Sequence, residues 1–346
     1  MRAAFKLTHY PTTWWLDAAA QMRYESVARA FPGRVLTVYS RSEDGTRVLA
    51  EVEDRSHPPI YYLVDFKTHG ATIVGDAYPG LDNVTLGSVR TITYPARDGV
   101  AIPAYLTLPP GLAPKNLPMV VLPHGGPEAR DTVGFDWLAQ FLAMRGYAVL
   151  QPQFRGSTGF GDAFRRAGEG QWGGLMQNDV TDGVKAMVGQ GIADPHHICI
   201  VGASYGGYAA LAGAAFTPKL YACAVSINGV SDLPMMLGYE KGQFGSDSDS
   251  VAYWQQDIGS QFDSKVANHS PVNSAADVAA PVLLLHSTND TVVPILQSQE
   301  MASALERSGK PVSVVELRGD DHWLSNAATR LEVLNDTERF LHQYLK

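Results

Sequence analysis

The sequence predicts an α/β fold, in which a mostly parallel sheet of eight strands is flanked by helices and preceded by a small β-module. From residue 88 onward, apolar strand-like runs alternate with helical patterns, which is typical of a parallel sheet with helices on both faces. Before residue 87 the chain contains short strand-like runs separated by turns. A Gly-x-Ser-x-Gly turn also stands between one strand and one helix of the larger region. We therefore divide the chain into residues 1–87 and 88–346.

The N-terminal region resembles one blade of a β-propeller. A helix is predicted at residues 16–31, and strands are predicted at 34–40, 46–52, 60–66 and 71–74. A propeller closes only with at least about four blades, and no repeat of this blade follows. Its open edges must therefore be covered by the other domain or by another subunit, which predicts a homo-oligomer.

The larger region supplies the strands and helices of the main sheet. Strands are predicted at residues 90–94, 101–108, 119–123, 147–151, 197–203, 221–227, 282–286 and 312–317. Helices are predicted at residues 135–145, 175–189, 205–216, 294–308 and 323–344. Between residues 231 and 280 the pattern loosens, and we expect an insertion that covers part of the active site.

Composition excludes several classes of function. The 346 residues carry a net charge of −8, whereas phosphate binding requires clustered Lys and Arg, so no nucleic-acid partner is expected. No window approaches 18 consecutive apolar residues, and residues 1–6 lack a secretory apolar core. We therefore predict a cytoplasmic protein without a membrane partner. No H-E-x-x-H motif or Cys-rich spacing is present, so neither a metal nor another cofactor is expected.

The two cysteines are predicted to be structural. Cys199 and Cys223 lie in apolar runs that indicate neighbouring buried strands, where a free thiol acts as a small hydrophobic group. Neither lies at a strand end, where a reactive group would be presented to a substrate. We therefore expect both to be reduced.

The strongest chemical signal is the run Gly202-Ala203-Ser204-Tyr205-Gly206 between a strand and a helix. This arrangement is a nucleophile elbow, a turn so tight that glycines must flank the serine. It is the signature of the α/β-hydrolase fold and makes Ser204 the candidate nucleophile. The alternative is a Gly-rich turn with an incidental serine, which the placement between strand and helix disfavours.

A serine nucleophile needs a base and an acid, which in this fold follow it in the order Ser, acid, His. Asp290 ends a buried strand and is the candidate acid, while Asp232, which also follows an apolar strand, is the competitor. His322 lies in the loop after the last strand and is the candidate base among ten histidines. The alternative for His322 is a surface histidine at the start of the final helix. His286 is expected to pack beneath the Asp290 turn.

Acyl transfer also requires N–H donors for the oxyanion. Tyr205 N–H is the first candidate, and the loop Pro123-His124-Gly125-Gly126-Pro127 supplies the second, with Gly126 preferred to Gly125. A third Gly-rich loop at residues 154–161 lacks the Gly-Lys-Ser/Thr end of a phosphate loop. Its Arg155 is expected either to brace the site or to contact substrate.

These motifs together resemble the prolyl oligopeptidase family of serine peptidases, most closely its acylaminoacyl-peptidase and dipeptidyl-peptidase-like branch. The resemblance rests on Leu122 to Pro127, residues 154–161, Gly202 to Tyr208 and Asp321-His322-Trp323. It implies Ser204 as nucleophile, Asp290 as acid and His322 as base, with Tyr205 and Gly126 as oxyanion donors. It also implies that residues 1–87 are the end of the family's propeller. Some relatives have a tyrosine where His124 stands and use its hydroxyl in the oxyanion hole, so the resemblance implies that His124 lies beside bound substrate.

The predicted function is hydrolysis of carboxylic esters and of small peptide or aminoacyl amides through an acyl-enzyme on Ser204. A peptidase proper, of the acylaminoacyl or dipeptidyl type, is the first alternative. The 346 residues contain only one blade-like sheet of the propeller that filters substrates in the family, so we expect activated esters to be favoured over amides. The alternative from another class is a non-catalytic remnant kept for assembly or binding.

Overall fold

The structure is a computed structural model and describes residues 3–7, 11–55 and 57–345. Its N-terminal part contains two antiparallel groups of strands and one helix. The elements are β1 (Ala3–Leu7), β2 (Pro11–Trp15), α1 (Ala18–Ala30), β3 (Val35–Arg41), β4 (Arg47–Asp54), β5 (His57–Asp65) and β6 (Gly70–Asp76). Strands β3 to β6 form a four-stranded sheet in chain order, as the sequence predicts, while β1 and β2 form a separate pair.

Helix α1 covers one face of this four-stranded sheet. Its Val27 is buried together with Val48, Ala50 and Val52, which alternate along β4 and therefore face the same side. The module also contacts the larger region, because Phe135 N donates to Glu53 Oε2 at 3.2 Å. Self-association of the chain stays a prediction.

The larger region forms one sheet of eight strands with helices on both sides, which confirms the predicted fold class. Its strands are β7 (Ser88–Pro95), β8 (Ala101–Leu108), β9 (Leu117–Val121), β10 (Ala148–Pro152), β11 (Ala193–Ala203), β12 (Cys223–Ile227), β13 (Val282–Ser287) and β14 (Val312–Leu317). Its helices are α2 (Trp137–Ala143), α3 (Asp162–Arg166), α4 (Leu175–Gly189), α5 (Tyr205–Phe216), α6 (Leu233–Phe244), α7 (Asp249–Ile258), α8 (Ser264–Asn268), α9 (Leu296–Arg307) and α10 (Ala327–Tyr344).

The strand order determines where a ligand can bind. The order is β14-β13-β12-β11-β9-β10-β8-β7, and all neighbours are parallel except the pairs that involve β7 and β8. The connection from β9 leads to β10 on one side, and the connection from β11 leads to β12 on the other side, so the order reverses between β9 and β11. In open parallel sheets ligands bind at the carboxyl ends of the strands beside such a reversal. The loops that follow β9 and β11 therefore form the expected site.

Two apolar cores lie on opposite faces of the eight-stranded sheet. Successive residues of β12 and β13 point alternately to the two faces, as a pleated strand requires. Helices α4, α5 and α9 pack on one face, and α2 and α10 pack on the other. The central strands are buried on both faces, which explains their almost continuous apolar sequence.

The segment in which the sequence pattern loosens contains three helices, α6, α7 and α8. Each begins at a capping side chain, because Asp232, Ser248 and Asp263 accept hydrogen bonds from the first turns. The apolar side chains of α6 are spread around it rather than gathered in one stripe. Because of this distribution, the sequence of α6 does not show the periodic apolar pattern that predicts a helix.

The prediction that both cysteines are reduced is wrong, because the structure joins Cys199 and Cys223 in a disulfide. The parallel register places these residues directly opposite each other on β11 and β12, with a Cα–Cα distance of 4.7 Å. This separation is within the range that a disulfide requires. The sequence predicts neighbouring strands but not their register. No helix of the described residues is both long and apolar enough to cross a membrane.

Candidate active site

Ser204 lies on the tight turn between β11 and α5. Its φ of 59° and ψ of −120° lie outside the regions that side chains prefer, and such strain costs about 1–3 kcal/mol. A Cβ on Gly202 would lie 2.2 Å from the Gly206 carbonyl oxygen, and a Cβ on Gly206 would lie 2.2 Å from the Pro123 carbonyl oxygen. Both glycines of the motif are therefore required by close backbone packing.

The candidate acid and base contact each other. Asp290 lies in the turn after β13 and His322 in the loop after β14, and His322 Nδ1 is 2.6 Å from Asp290 Oδ2. The other carboxylate oxygen, Oδ1, accepts hydrogen bonds from the backbone of Val292 and Val293, each at 2.8 Å. The carboxylate is therefore held by three donors. The Ser204 hydroxyl makes no hydrogen bond to His322 in the described part of the chain, and such contacts often tighten only when substrate binds.

Asp232, the competing acid, has a different role in the structure. Its side chain accepts a hydrogen bond from Met235 N at 2.9 Å and caps α6. His322 contacts Asp290 instead. The geometry therefore favours Asp290.

His286 lies directly beneath the Asp290 turn and is fully buried. Its Nε2 donates to the Val293 carbonyl at 2.9 Å, and its Nδ1 accepts from the Ser298 hydroxyl at 2.7 Å. Burial is the main cause that lowers the pKa of His286. The ring is therefore neutral near neutral pH and supports the backbone next to Asp290.

The loop after β9 lies against the elbow. A Cβ on Gly125 would be 3.4 Å from Ser204 Cβ. His124 Nδ1 lies 2.7 Å from the Gly125 carbonyl oxygen, and its Nε2 lies 2.8 Å from Ser157 Oγ. A carbonyl oxygen only accepts, so Nδ1 carries the proton. The Gly125 carbonyl and the Gly126 N–H belong to one planar peptide group, so His124 orients the candidate oxyanion donor.

Tyr205 N–H is the other candidate oxyanion donor at this site. Tyr205 is the first residue of α5, and the N–H groups of the first helical turn have no acceptor within the helix. Ser204 N donates to the Ile227 carbonyl at 2.9 Å, which fixes the elbow to the end of β12. The backbone around the nucleophile is therefore held rigidly.

His124 is enclosed, and its burial predicts a pH-dependent stability. Only 9% of the residue is exposed, the ring stacks on Phe154 with centroids 4.3 Å apart, and burial lowers its pKa to about 4. Between pH 6.5 and pH 4 the unfolded chain therefore binds a proton that the folded chain does not. Stability is lost as the pH falls through this window, and this one group contributes about 2–3 kcal/mol of the loss between pH 7 and 4.5.

Urea unfolding at these two pH values tests the prediction, with His124→Gln as the comparison. The variant lacks the titrating ring. From pH 7 to pH 4.5 its free energy of unfolding should therefore fall by about 2–3 kcal/mol less than that of the wild type. All other titrating groups are common to both proteins and cancel in the difference. Equal losses in the two proteins would contradict the assignment.

Arg155 braces the loop after β10. Its backbone N–H and its Nε both donate to Asp179 Oδ2 at 2.9 Å, and its guanidinium also contacts Asp98. The side chains of Arg155 and Asp179 are 6% and 0% exposed. These contacts brace the loop, which is one of the two roles that the sequence predicts for Arg155, and contact of Arg155 with substrate stays a prediction.

The insertion packs against an aromatic cluster behind the nucleophile. The Trp172 ring lies 4.6 Å from that of Tyr205 and 6.0 Å from that of Trp254 on α7, measured between centroids. On the same helix, burial raises the pKa of Asp257 to about 6. Its Oδ2 has no hydrogen-bond partner among the described residues. The insertion thus contributes apolar and ionisable groups close to Tyr205.

Sequence reasoning did not identify Asn228, which follows β12 and hydrogen-bonds to the backbone of Ser287 and His322. The available signal was a polar residue at the carboxyl end of a buried strand beside the nucleophile strand. Ser157, the partner of His124, was also missed, because its contact joins loops that are distant in sequence.

Comparisons with known proteins agree with this architecture. Residues 133–346 match the model of the prolyl oligopeptidase family. Over 338 residues, 95% of this chain and 49% of the relative, the chain is 33% identical to dipeptidyl aminopeptidase BIII of Pseudoxanthomonas mexicana. Over 373 residues, 99% of this chain and 50% of the relative, it is 32% identical to dipeptidyl peptidase family member 6 of Caenorhabditis elegans.

A solved structure shows the same similarity. The puromycin-hydrolysing peptidase of Mycobacterium tuberculosis aligns with a TM-score of 0.78 and 30% identity, over 87% of this chain and 46% of that one. The chain spans about half the length of the curated relatives it matches. A family match over more than half of the chain, together with relatives above 30% identity, shows that this protein belongs to the prolyl oligopeptidase family of serine-type peptidases.

Proposed function

We propose that this chain hydrolyses the amide bonds of short peptides and aminoacyl amides, and carboxylic esters, through an acyl-enzyme formed on Ser204. The observation that carries the proposal is the 2.6 Å contact between His322 Nδ1 and Asp290 Oδ2, in loops at the carboxyl ends of neighbouring strands. Ser204 follows β11 at the same edge of the sheet. A nucleophile, a base and an orienting acid then occupy the positions that acyl transfer requires.

In the proposed mechanism His322 acts as the general base. Its Nδ1–H is held by Asp290, so Nε2 is unprotonated and takes the proton of the Ser204 hydroxyl as Oγ attacks the substrate carbonyl. The imidazolium then donates that proton to the leaving amine or alcohol. Water then attacks the acyl carbonyl and loses a proton to the same nitrogen. The imidazolium returns this proton to Ser204 Oγ as the acyl–oxygen bond breaks, and the carboxylic acid product leaves.

The tetrahedral intermediates carry a negative oxygen that needs fixed donors. We assign these to the N–H groups of Tyr205 and Gly126, with Gly125 as the neighbouring alternative. The Tyr205 N–H is fixed by the start of α5, and the Gly126 N–H is fixed by the contact of His124 with the same peptide group. Neither donor therefore needs to reorganise during the reaction. His124 therefore acts by orienting a donor, and its burial leaves it little surface for substrate.

The names of the relatives support a peptide or aminoacyl substrate. One is named a dipeptidyl aminopeptidase, another is named a dipeptidyl peptidase family member, and the solved structure is of a puromycin-hydrolysing peptidase. Ester hydrolysis is added on chemical grounds, because an activated ester needs less stabilisation of its leaving group than an amide. A non-catalytic remnant is disfavoured because the acid–base contact is intact.

Turnover of a p-nitrophenyl ester chain-length series and of aminoacyl and dipeptidyl p-nitroanilides tests the proposal. Each assay is run on the 346-residue chain before and after treatment with a serine-directed fluorophosphonate. We expect turnover of both substrate classes and its loss on labelling. Absence of turnover and of labelling would favour the non-catalytic alternative, and turnover of esters alone would remove the peptidase part.

A further inference from the structure

Asn228 is a buried polar residue in the middle of the proposed site. It follows β12 directly, only 1% of it is exposed, and its φ is 47°. Asparagine tolerates this left-handed conformation better than most residues. Among the described residues, five non-glycine residues have a positive φ, and three of them, Ser204, Asn228 and Leu324, lie in loops of this site. Backbone strain of this kind concentrates at functional sites.

Asn228 binds the strand that carries the acid. Its backbone N–H donates to the Leu285 carbonyl at 2.8 Å, and its Oδ1 accepts from Ser287 N at 2.7 Å. Its Nδ2 lies 3.2 Å from Ser287 Oγ. Because Asp290 is three residues beyond Ser287, these bonds fix the start of the turn that carries the acid.

The same side chain reaches the loop of the base and adjoins the nucleophile. Nδ2 donates to the backbone carbonyl of His322 at 3.2 Å. The preceding residue, Ile227, accepts the hydrogen bond from Ser204 N at 2.9 Å. One carboxamide and its backbone therefore connect the three segments that carry Ser204, Asp290 and His322.

We propose that Asn228 is a positioning residue that sets the distance between the Ser204 hydroxyl and the imidazole of His322. This inference rests on the proposed roles of Ser204, Asp290 and His322. Asn228 contacts backbone groups and one hydroxyl rather than the reacting atoms, so it acts through the placement of other residues. A misplacement of about 1 Å costs about 10²-fold in rate, which gives the expected size of the effect.

The chemistry of the site explains why the residue is an asparagine. Ser287 N needs an acceptor and the His322 carbonyl needs a donor, and a carboxamide supplies both at once. A carboxylate supplies only acceptors, and an aliphatic side chain would remove the partner both of the buried Ser287 N–H and of the partly buried His322 carbonyl.

The test removes the carboxamide without adding backbone strain. Asn228→Gly keeps the left-handed conformation, because glycine adopts positive φ without cost. We expect kcat on an aminoacyl p-nitroanilide, per folded molecule, to fall about 10²-fold while KM changes less than about threefold. The matched control is Asn116→Gly, which makes the same change at an exposed residue with φ of 51° and should leave kcat unchanged.

A purely structural role would lower the melting temperature without changing kcat of the folded protein. That result for Asn228→Gly would overturn the proposal. If wild-type turnover requires Ser204 and Asn228→Gly is fully active, only the proposed role of Asn228 is overturned. Turnover that does not require Ser204 would instead overturn the proposed function itself.

Asn228→Asp provides a second measurement if the glycine variant does not fold. The introduced carboxylate can still accept from Ser287 N but cannot donate to the His322 carbonyl, so we expect low kcat at pH 8. Protonation of this carboxyl restores a donor, so the ratio of variant to wild-type kcat should rise as the pH falls. A ratio that stays constant with pH would contradict the proposed contact with the His322 loop.

Discussion

Ser204→Ala is expected to lower kcat for esters and amides by about 10⁴- to 10⁶-fold, with little change in KM. The variant removes the only atom that forms the acyl-enzyme, whereas the Tyr205 and Gly126 N–H groups remain in place. The residual rate then comes from binding and oxyanion stabilisation alone. The measurement is steady-state turnover of the most active ester and p-nitroanilide, with the protein concentration determined independently.

Ser313→Ala is the matched control, because Ser313 is an exposed serine on β14. Its kcat should equal that of the wild type. Ser204→Gly adds a test of the elbow itself: it should be equally inactive but more stable by about 1 kcal/mol, since glycine relieves the strain at φ 59°. Wild-type turnover in Ser204→Ala would show that another residue is the nucleophile.

Most of the main sheet and the elbow were predictable because their signals are local. The predicted bounds of α4 and α5 are those observed, and each predicted strand of the main sheet overlaps an observed one. Fully buried parallel strands appear as apolar runs, and glycines near their ends mark the turns. The sequence order of serine, acid and histidine then located the candidate site.

Features that depend on contacts distant in sequence were not predictable in the same way. The disulfide between Cys199 and Cys223 requires the register of two strands, and a shift of one residue would turn one thiol to the other face. The role of Asn228 becomes visible only in the folded chain, because the turns after β13 and β14 that it contacts are distant from it in sequence. Helix α6 lacks the apolar stripe that a sequence pattern detects.

Asp290→Asn is expected to lower kcat about 10⁴-fold although the side chain keeps its size. The backbone N–H groups of Val292 and Val293 both donate to Asp290 Oδ1, so the carboxamide oxygen of the variant should occupy that position. Its NH₂ group then faces His322 Nδ1 and donates to it. The histidine is forced to carry its proton on Nε2, the nitrogen that must accept the proton of Ser204.

The control for this variant is Asp232→Asn, the same substitution at the competing acid. Asparagine caps helices as well as aspartate does, so α6 should remain intact and kcat should stay within about threefold of the wild type. The double variant Ser204→Ala with Asp290→Asn should be no slower than Ser204→Ala alone, because the acid acts only through the base and the nucleophile. A large loss of kcat in Asp232→Asn, together with an active Asp290→Asn, would make Asp232 the acid. A large loss of kcat in Asp290→Asn, together with an active Asp232→Asn, would establish that Asp290 orients His322.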